Sequence, residues 1–155
     1  MVDVIKVASY IAQRFEIENH VRIDEMKLHK LLYFTQREAI IATGEPMFSE
    51  RFVAMKYGPV MYVVRQPYKE NALNSQMDPE WLDKYKVVLD VVFKNYSKQK
   101  SISLSYLSHG ESSWRKAISD KSSNLLKLED IRKDAERMKL RRYYFDHIVP
   151  QLTEK

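Results

Sequence analysis

The sequence predicts a mainly helical fold, a compact bundle-like single domain over residues 1–155, with a short strand or hairpin arm around residues 48–56. Three observations carry that prediction. Apolar residues recur at three- and four-residue spacing through most of the chain, the period of one helix face. Aspartates at 3, 24 and 78 stand immediately before three of those runs, where a side-chain oxygen can accept the unpaired N–H groups of a first turn. A length of 155 residues is one domain's worth, able to bury roughly 70% of its unfolded surface without staples.

Taken in order, Asp3 caps a first helix with Val4, Val7, Ala8, Ile11 and Phe15 on one face. Asp24 opens a second, with Leu28, Leu31, Leu32, Thr35, Ala39 and Ala42 on one stripe, closed by Gly44 and Pro46. Phe48 to Lys56 is short and irregular, and its "RFVAMKY" core reads as an extended arm. Gly58-Pro59 then breaks the chain. Pro59 suits the first turn of a third helix, with Val60, Val63 and Val64 inward and Pro67 at its end. After the polar loop "KENALNSQ", Asp78-Pro79-Glu80 combines a cap, a first-turn proline and a first-turn acid. The wide stripe that follows, from Trp81 and Leu82 through Tyr85, Val88, Leu89, Val92 and Phe93 to Tyr96, marks a central helix. Two short helices follow, one around Leu104 and Leu107 and one from Ser112 or Ser113 with Trp114 and Ile118. The last helix runs over residues 128–149, with Ile131, Ala135, Met138, Phe145 and Ile148 inward and a solvated face of mixed charge.

Composition removes several function classes. With no cysteine there are no disulfides or thiolate metal sites, which suits a reducing, cytoplasmic setting. No apolar run approaches the ~20 residues of a membrane span, and the start "MVDVIKVASY" lacks a signal layout. Only Gly44, Gly58 and Gly110 occur, too few for a glycine-rich phosphate loop. A net charge of +5 favours acidic partners, either nucleic acid or an acidic protein surface. Lys84, Lys86, Lys94, Lys98 and Lys100, with Lys139, Arg141 and Arg142, are the basic residues that phosphates would meet, but interleaved acids dilute their field.

Catalytic and metal chemistry finds little support. The four histidines, His20, His29, His109 and His147, form no HExxH, and the H-x-E of His109 and Glu111 lacks the P-C-x-x-C half of a zinc deaminase. Arg142 and His147 have the spacing of a helical ribonuclease, where arginine holds phosphate and histidine moves a proton. Arg14 with His20 and Arg22 with His29 meet the same loose pattern, so it discriminates poorly. No cofactor, metal or catalytic residue is expected.

Four ordered blocks carry a resemblance. They are "MKLHKLLYFTQ" (26–36), "TGEPMF" (43–48), "AMKYGPV" (54–60) and "LSHGESSWRKA" (107–117). Together they resemble the Panacea domain of SocA-like antitoxins, also known as GepA-type phage-associated proteins. That family's pattern is close to L-x-K-L-L-Y-F-x-Q, G-x-P-L-F, A-W-K-Y-G-P-V and L-S/T-H-x-E-x-P-W. Met55 stands where the family often has tryptophan, His29 where glutamine is common, and Ser113 where proline is usual. The resemblance implies an antitoxin of a type II system that neutralises a cognate protein toxin, typically encoded nearby, by direct contact. Delivery of the toxin to the ClpXP protease is the alternative it implies. Some relatives add a helix-turn-helix; this chain begins at the first domain helix, so direct nucleic-acid binding is not expected.

The "AMKYGPV" turn has two readings. In the plainer one Gly58 gives a permissive backbone, Pro59 starts a helix and Tyr57 seals the core edge. In the sharper one the turn supports a partner-binding rim, with Lys56, Tyr57 and Met61 beside His109, Glu111, Trp114 and Arg115. Aromatic, arginine and methionine anchors are favoured interface chemistry.

Overall fold

The computed structural model describes residues 1–153. Helix α1 (Val4–Asn19) is capped by Asp3, whose Oδ1 accepts the Ile5 N–H at 2.8 Å. All five apolar residues assigned to its inner face are buried. It ends at His20, which takes the left-handed conformation with φ 59° and closes the helix onto the Glu16 carbonyl. Helix α2 (Glu25–Thr43) starts on Asp24, which accepts from Met26 and Lys27, and stops at Gly44 with φ +79°. That positive φ is the reason for glycine there.

Helix α2, not the later wide-striped helix, is the centre of the molecule. Every residue from Leu28 to Ile40 is buried, including Lys30, Arg37 and Glu38. Around it pack α1, α4 (Pro79–Tyr96), α5 (Ser101–His109), α7 (Leu128–Tyr143) and the hairpin. Helix α4 buries Tyr85, Val88, Leu89, Val92, Phe93 and Tyr96 on one face and leaves Trp81 and Leu82 at the edge. It is amphipathic rather than central. Its proline occupies the first turn as expected, but the Asp78 carboxylate makes no cap bond and faces Lys6 at 3.5 Å instead.

The extended arm is a hairpin. Strands β1 (Val53–Met55) and β2 (Gly58–Val60) pair antiparallel, Ala54 opposite Pro59, with Lys56 and Tyr57 at the turn. Pro59 therefore lies in a strand and does not open a helix. A strand accepts it because Ala54 turns its N–H outward, to the Asn124 carbonyl at 2.7 Å. Ala54 and Pro59 thus form a pair that exchanges no ladder bonds, so the missing proline N–H costs nothing. The Pro59 carbonyl points the other way and accepts the buried Lys30 ammonium at 3.0 Å. On the outer edge of β1, residues 124–126 add a bridge at Leu125, and Leu126 donates to Phe52.

Helix α3 (Tyr62–Lys69) begins only after β2, so Val64 is buried while Val63 is exposed and Val60 half-buried. Pro67 sits within it, and the helix ends two residues later. Helix α6 (Ser112–Ser119) leaves Ile118 exposed, as α5 leaves Leu107. The last segment is interrupted: α7 gives way to a wide π-type turn (Tyr144–Ile148) before a short α8 (Val149–Thr153). Pro150 has no N–H for the Asp146 carbonyl and its ring crowds that carbonyl, which favours widening the turn just ahead of it. Phe145, expected inward, is 54% exposed. Conversely Asp130 and Asp134, expected on the solvated face, are buried. Among the described residues no helix is long and apolar enough to cross a membrane.

Candidate functional site

Lys30, Tyr33, Gln36 and Arg37 of "LHKLLYFTQR" lie within two turns of α2, and each reaches a segment distant in sequence. Lys30 holds the hairpin through the Pro59 carbonyl. Gln36 clamps the following loop, donating to the Phe48 carbonyl at 2.7 Å and accepting the Met47 N–H at 2.8 Å. Tyr33 places its hydroxyl among Glu111 (3.1 Å), Ser113 (2.9 Å) and Asp134 (3.0 Å). Arg37 gives one Nη to Glu111 and the other to the Tyr96 hydroxyl, both at 2.6 Å, with its guanidinium 4.9 Å from the Phe34 ring centre. Burying such groups is tolerable only because partners meet them; removing one partner of a buried ion pair costs about 3–5 kcal/mol.

Asp134 explains how the second block is held. The first N–H groups of α6 have no intrahelical partner, and no side chain of its own cap residue meets them. Asp134, from α7, accepts the Ser112 N–H at 2.8 Å, the Ser112 hydroxyl at 2.6 Å and the Ser113 N–H at 3.0 Å. Burial opposes its charge, yet these bonds hold its carboxyl below the usual carboxylate range. Burial pushes the Glu111 carboxyl up, although Arg37 faces it. Burial likewise raises the Tyr33 phenol, further supported by those two carboxylates. Lys30 is lowered by burial to about 8.

On this base the two blocks are brought together at the surface. The Tyr57 carbonyl accepts the Ser105 hydroxyl at 2.7 Å, and the Trp114 indole donates to the Met55 carbonyl at 2.8 Å. Trp114 is half-buried and stacks on His109 at 4.2 Å. Gly58 passes so close to α2 and α5 that a Cβ there would stand 2.6 Å from Lys30 Cε and nearer still to Ser108 Oγ.

The expected rim is changed in its membership. Met61 is 1% exposed, its N–H bound to His29 Nδ1 at 3.1 Å, so it lies beneath the surface. The Glu111 carboxylate is turned inward to Arg37 and Tyr33. Tyr57 does not seal the core: it is 49% exposed, with the Lys56 ammonium 5.4 Å from its ring. Lys56 and Arg115 are exposed. Sequence reasoning missed three neighbours. Met55 and Tyr62 are exposed beside the turn, the Tyr62 hydroxyl 3.9 Å from the Met55 sulfur, and Tyr106 on α5 is 72% exposed.

His29, a departure from the family pattern, is structural. Its Nδ1 accepts from Met61 and its Nε2 meets Glu25 at 3.0 Å, and burial lowers its basicity. The Arg142–His147 pair does not assemble. Arg142 makes two bonds to the buried Glu38, and His147 packs on Tyr143 at 4.5 Å. Among the described residues no three His, Asp or Glu side chains are grouped to hold a metal ion.

A family model described as antitoxin SocA-like, Panacea domain, matches residues 28–115. No curated protein and no solved structure matches the chain.

Proposed function

The chain belongs to the SocA-like antitoxin family of the Panacea domain, and on that premise we propose that it neutralises a cognate protein toxin by direct contact, as a type II antitoxin. The contact surface is the rim made by Met55, Lys56, Tyr57 and Tyr62 from the hairpin end and by Tyr106 and Arg115 from α5 and α6. The observation that carries this reading is convergence: the AMKYGPV (54–60) and LSHGESSWR (107–115) stretches of the matched segment meet at one edge, where three tyrosines are exposed beside cross-linking hydrogen bonds. Exposed aromatics on a preorganised scaffold lose little entropy on binding, and a few such anchors carry most of an interface's energy. A complex burying about 800 Å² per partner, with micromolar to nanomolar affinity, corresponds to about −8 to −12 kcal/mol and requires no catalysis.

In this reading the protein turns over no substrate. The cation of the ribonuclease-like pair is already committed to Glu38. The test is co-expression with the adjacent reading frame. Growth is expected to recover and the two proteins to co-purify, and Tyr57→Ala with Tyr106→Ala should weaken the complex at least tenfold. Rescue that persists in a host lacking ClpXP identifies occlusion as the mechanism; rescue that needs the protease identifies delivery. RNA cleavage by the purified chain, abolished by His147→Ala, would replace this reading with a nuclease.

A further inference from the structure

We propose that the groove between α5 and the C-terminal half of α7 is a second docking surface, one that receives an acidic segment of the partner carrying leucine or aromatic side chains beside its carboxylates. The partner's identity as a toxin rests on the antitoxin reading; the chemistry of the groove does not. Tyr106 and Leu107 form one wall, Met138 the other, and Phe34 and Arg37 lie at the floor, around a volume of about 260 Å³. That is below the roughly 300–1,000 Å³ of small-molecule sites, so the groove suits one or two inserted side chains.

The free charge of this groove is positive. Its two acids are engaged within the fold, Glu111 by Arg37 and Tyr33, Asp134 by Ser112, Ser113 and Tyr33. Of its three arginines, Arg37 is committed to Glu111 and Tyr96, and the other two are not so consumed. Arg137 and Arg141 stand exposed at the lip, Arg137 only 4.0 Å from Asp134 at its nearest and Arg141 lying 5.7 Å from the Phe145 ring. At the floor the buried Arg37 Nε has no hydrogen-bond partner among the described residues. Arg137, Arg141 and Phe145 recur every four residues, so exposed Phe145 extends the lip with an apolar surface. Arginine forks set between apolar walls are suited to carboxylates, which they bind in paired, charge-assisted bonds. A second copy of this chain fits poorly, because each copy carries +5 and would bring like charge to the lip. Since Tyr106 belongs to both rim and groove, one partner can cover both.

The experiment titrates the full chain with the adjacent-frame protein at low and high salt. Arg137→Glu with Arg141→Glu is compared with a charge-matched pair on α4, Lys86→Glu with Lys94→Glu, after thermal melts show all forms folded. The groove pair is expected to weaken binding at least tenfold and to flatten the salt dependence, and the α4 pair to change it less than twofold. The chain has no cysteine, so a bimane label at Leu107→Cys is unique and should become shielded in the complex. Wild-type affinity in the groove pair, or an equal loss in the α4 pair, overturns the groove. So does a groove pair that keeps the protein partner but loses a single-stranded RNA probe. No complex with the wild-type chain would instead overturn the antitoxin reading, and the groove's occupant with it.

Discussion

Replacing Gly58 by alanine tests the claim that the hairpin is held by close backbone approach. Two costs arise. Gly58 has φ +117°, which L side chains rarely adopt, and backbone strain of that kind costs about 1–3 kcal/mol. The added methyl would also stand 2.6 Å from Lys30 Cε. Lys30 is pinned by the Pro59 carbonyl, and Ser108, the other obstruction, by the Ser105 carbonyl at 2.7 Å. Neither yields freely, so overpacking adds about 1–3 kcal/mol. The total is roughly 2–6 kcal/mol, or a fall in melting temperature on the order of 10 °C for a chain of this size. Urea denaturation followed by circular dichroism and tryptophan fluorescence measures it, since Trp114 reports on the hairpin through Met55. Gly44→Ala is the comparison: φ is +79° there and no atom lies within 4 Å of the added Cβ, so only the left-handed penalty of about 1–2 kcal/mol applies. Equal losses in the two variants, or a Gly58→Ala protein within about 0.5 kcal/mol of wild type, would refute the steric reasoning.

Asp134→Asn should cost about 2–4 kcal/mol at neutral pH, because the capped N–H groups of α6 and the Tyr33 hydroxyl lose a charged acceptor. Since the folded carboxyl lies below its ordinary value of 3.8, its contribution is complete above that pH and is lost as pH falls through the depressed value; urea melts from pH 2 to 6 should show a flatter acid limb in the variant. Lys30 shifts stability with the same sign, at higher pH and for a different reason, because burial disfavours its charged form. Its folded value of about 8 lies below the ordinary 10.5, so the unfolded chain binds more protons between those values and wild-type stability should gain up to about 3 kcal/mol as pH rises through that window. Lys30→Met should lack that gain in denaturation titrations from pH 7 to 10.5. His147→Ala should leave both stability and neutralisation unchanged, within about 0.5 kcal/mol by melting and with full growth rescue, because the exposed ring stacks with no aromatic ring but that of Tyr143 among the described residues.

Much of the secondary structure was legible because its signals are local. Asp3 and Asp24 accept from the first turns they precede, and Gly44 takes the left-handed conformation that ends α2. The buried face of α1 follows from spacing alone. Errors arose where long-range pairing overrode a local preference. Pro59 suits a helix start, but Lys30 and the Ala54 register make it a strand residue. Met61 follows the turn in sequence, yet His29 ties its backbone inward. Lys30, Arg37 and Glu38 lie outside the apolar stripe of α2, and nothing near them in sequence says that Pro59, Glu111, Tyr96 and Arg142 will arrive as partners.

By itself the sequence determined the helical class, the ends of the early helices and, through four motif blocks, the family to which the chain belongs. Those properties depend on period, capping and motif order, which are written in consecutive residues. Only the tertiary structure decided that α2 is the buried axis, that Asp134 caps α6 from another helix, and that tyrosines 57, 62 and 106 remain exposed. Each of these depends on which distant segments meet, because a charge becomes a core residue or a tyrosine a surface anchor according to the partner that covers it.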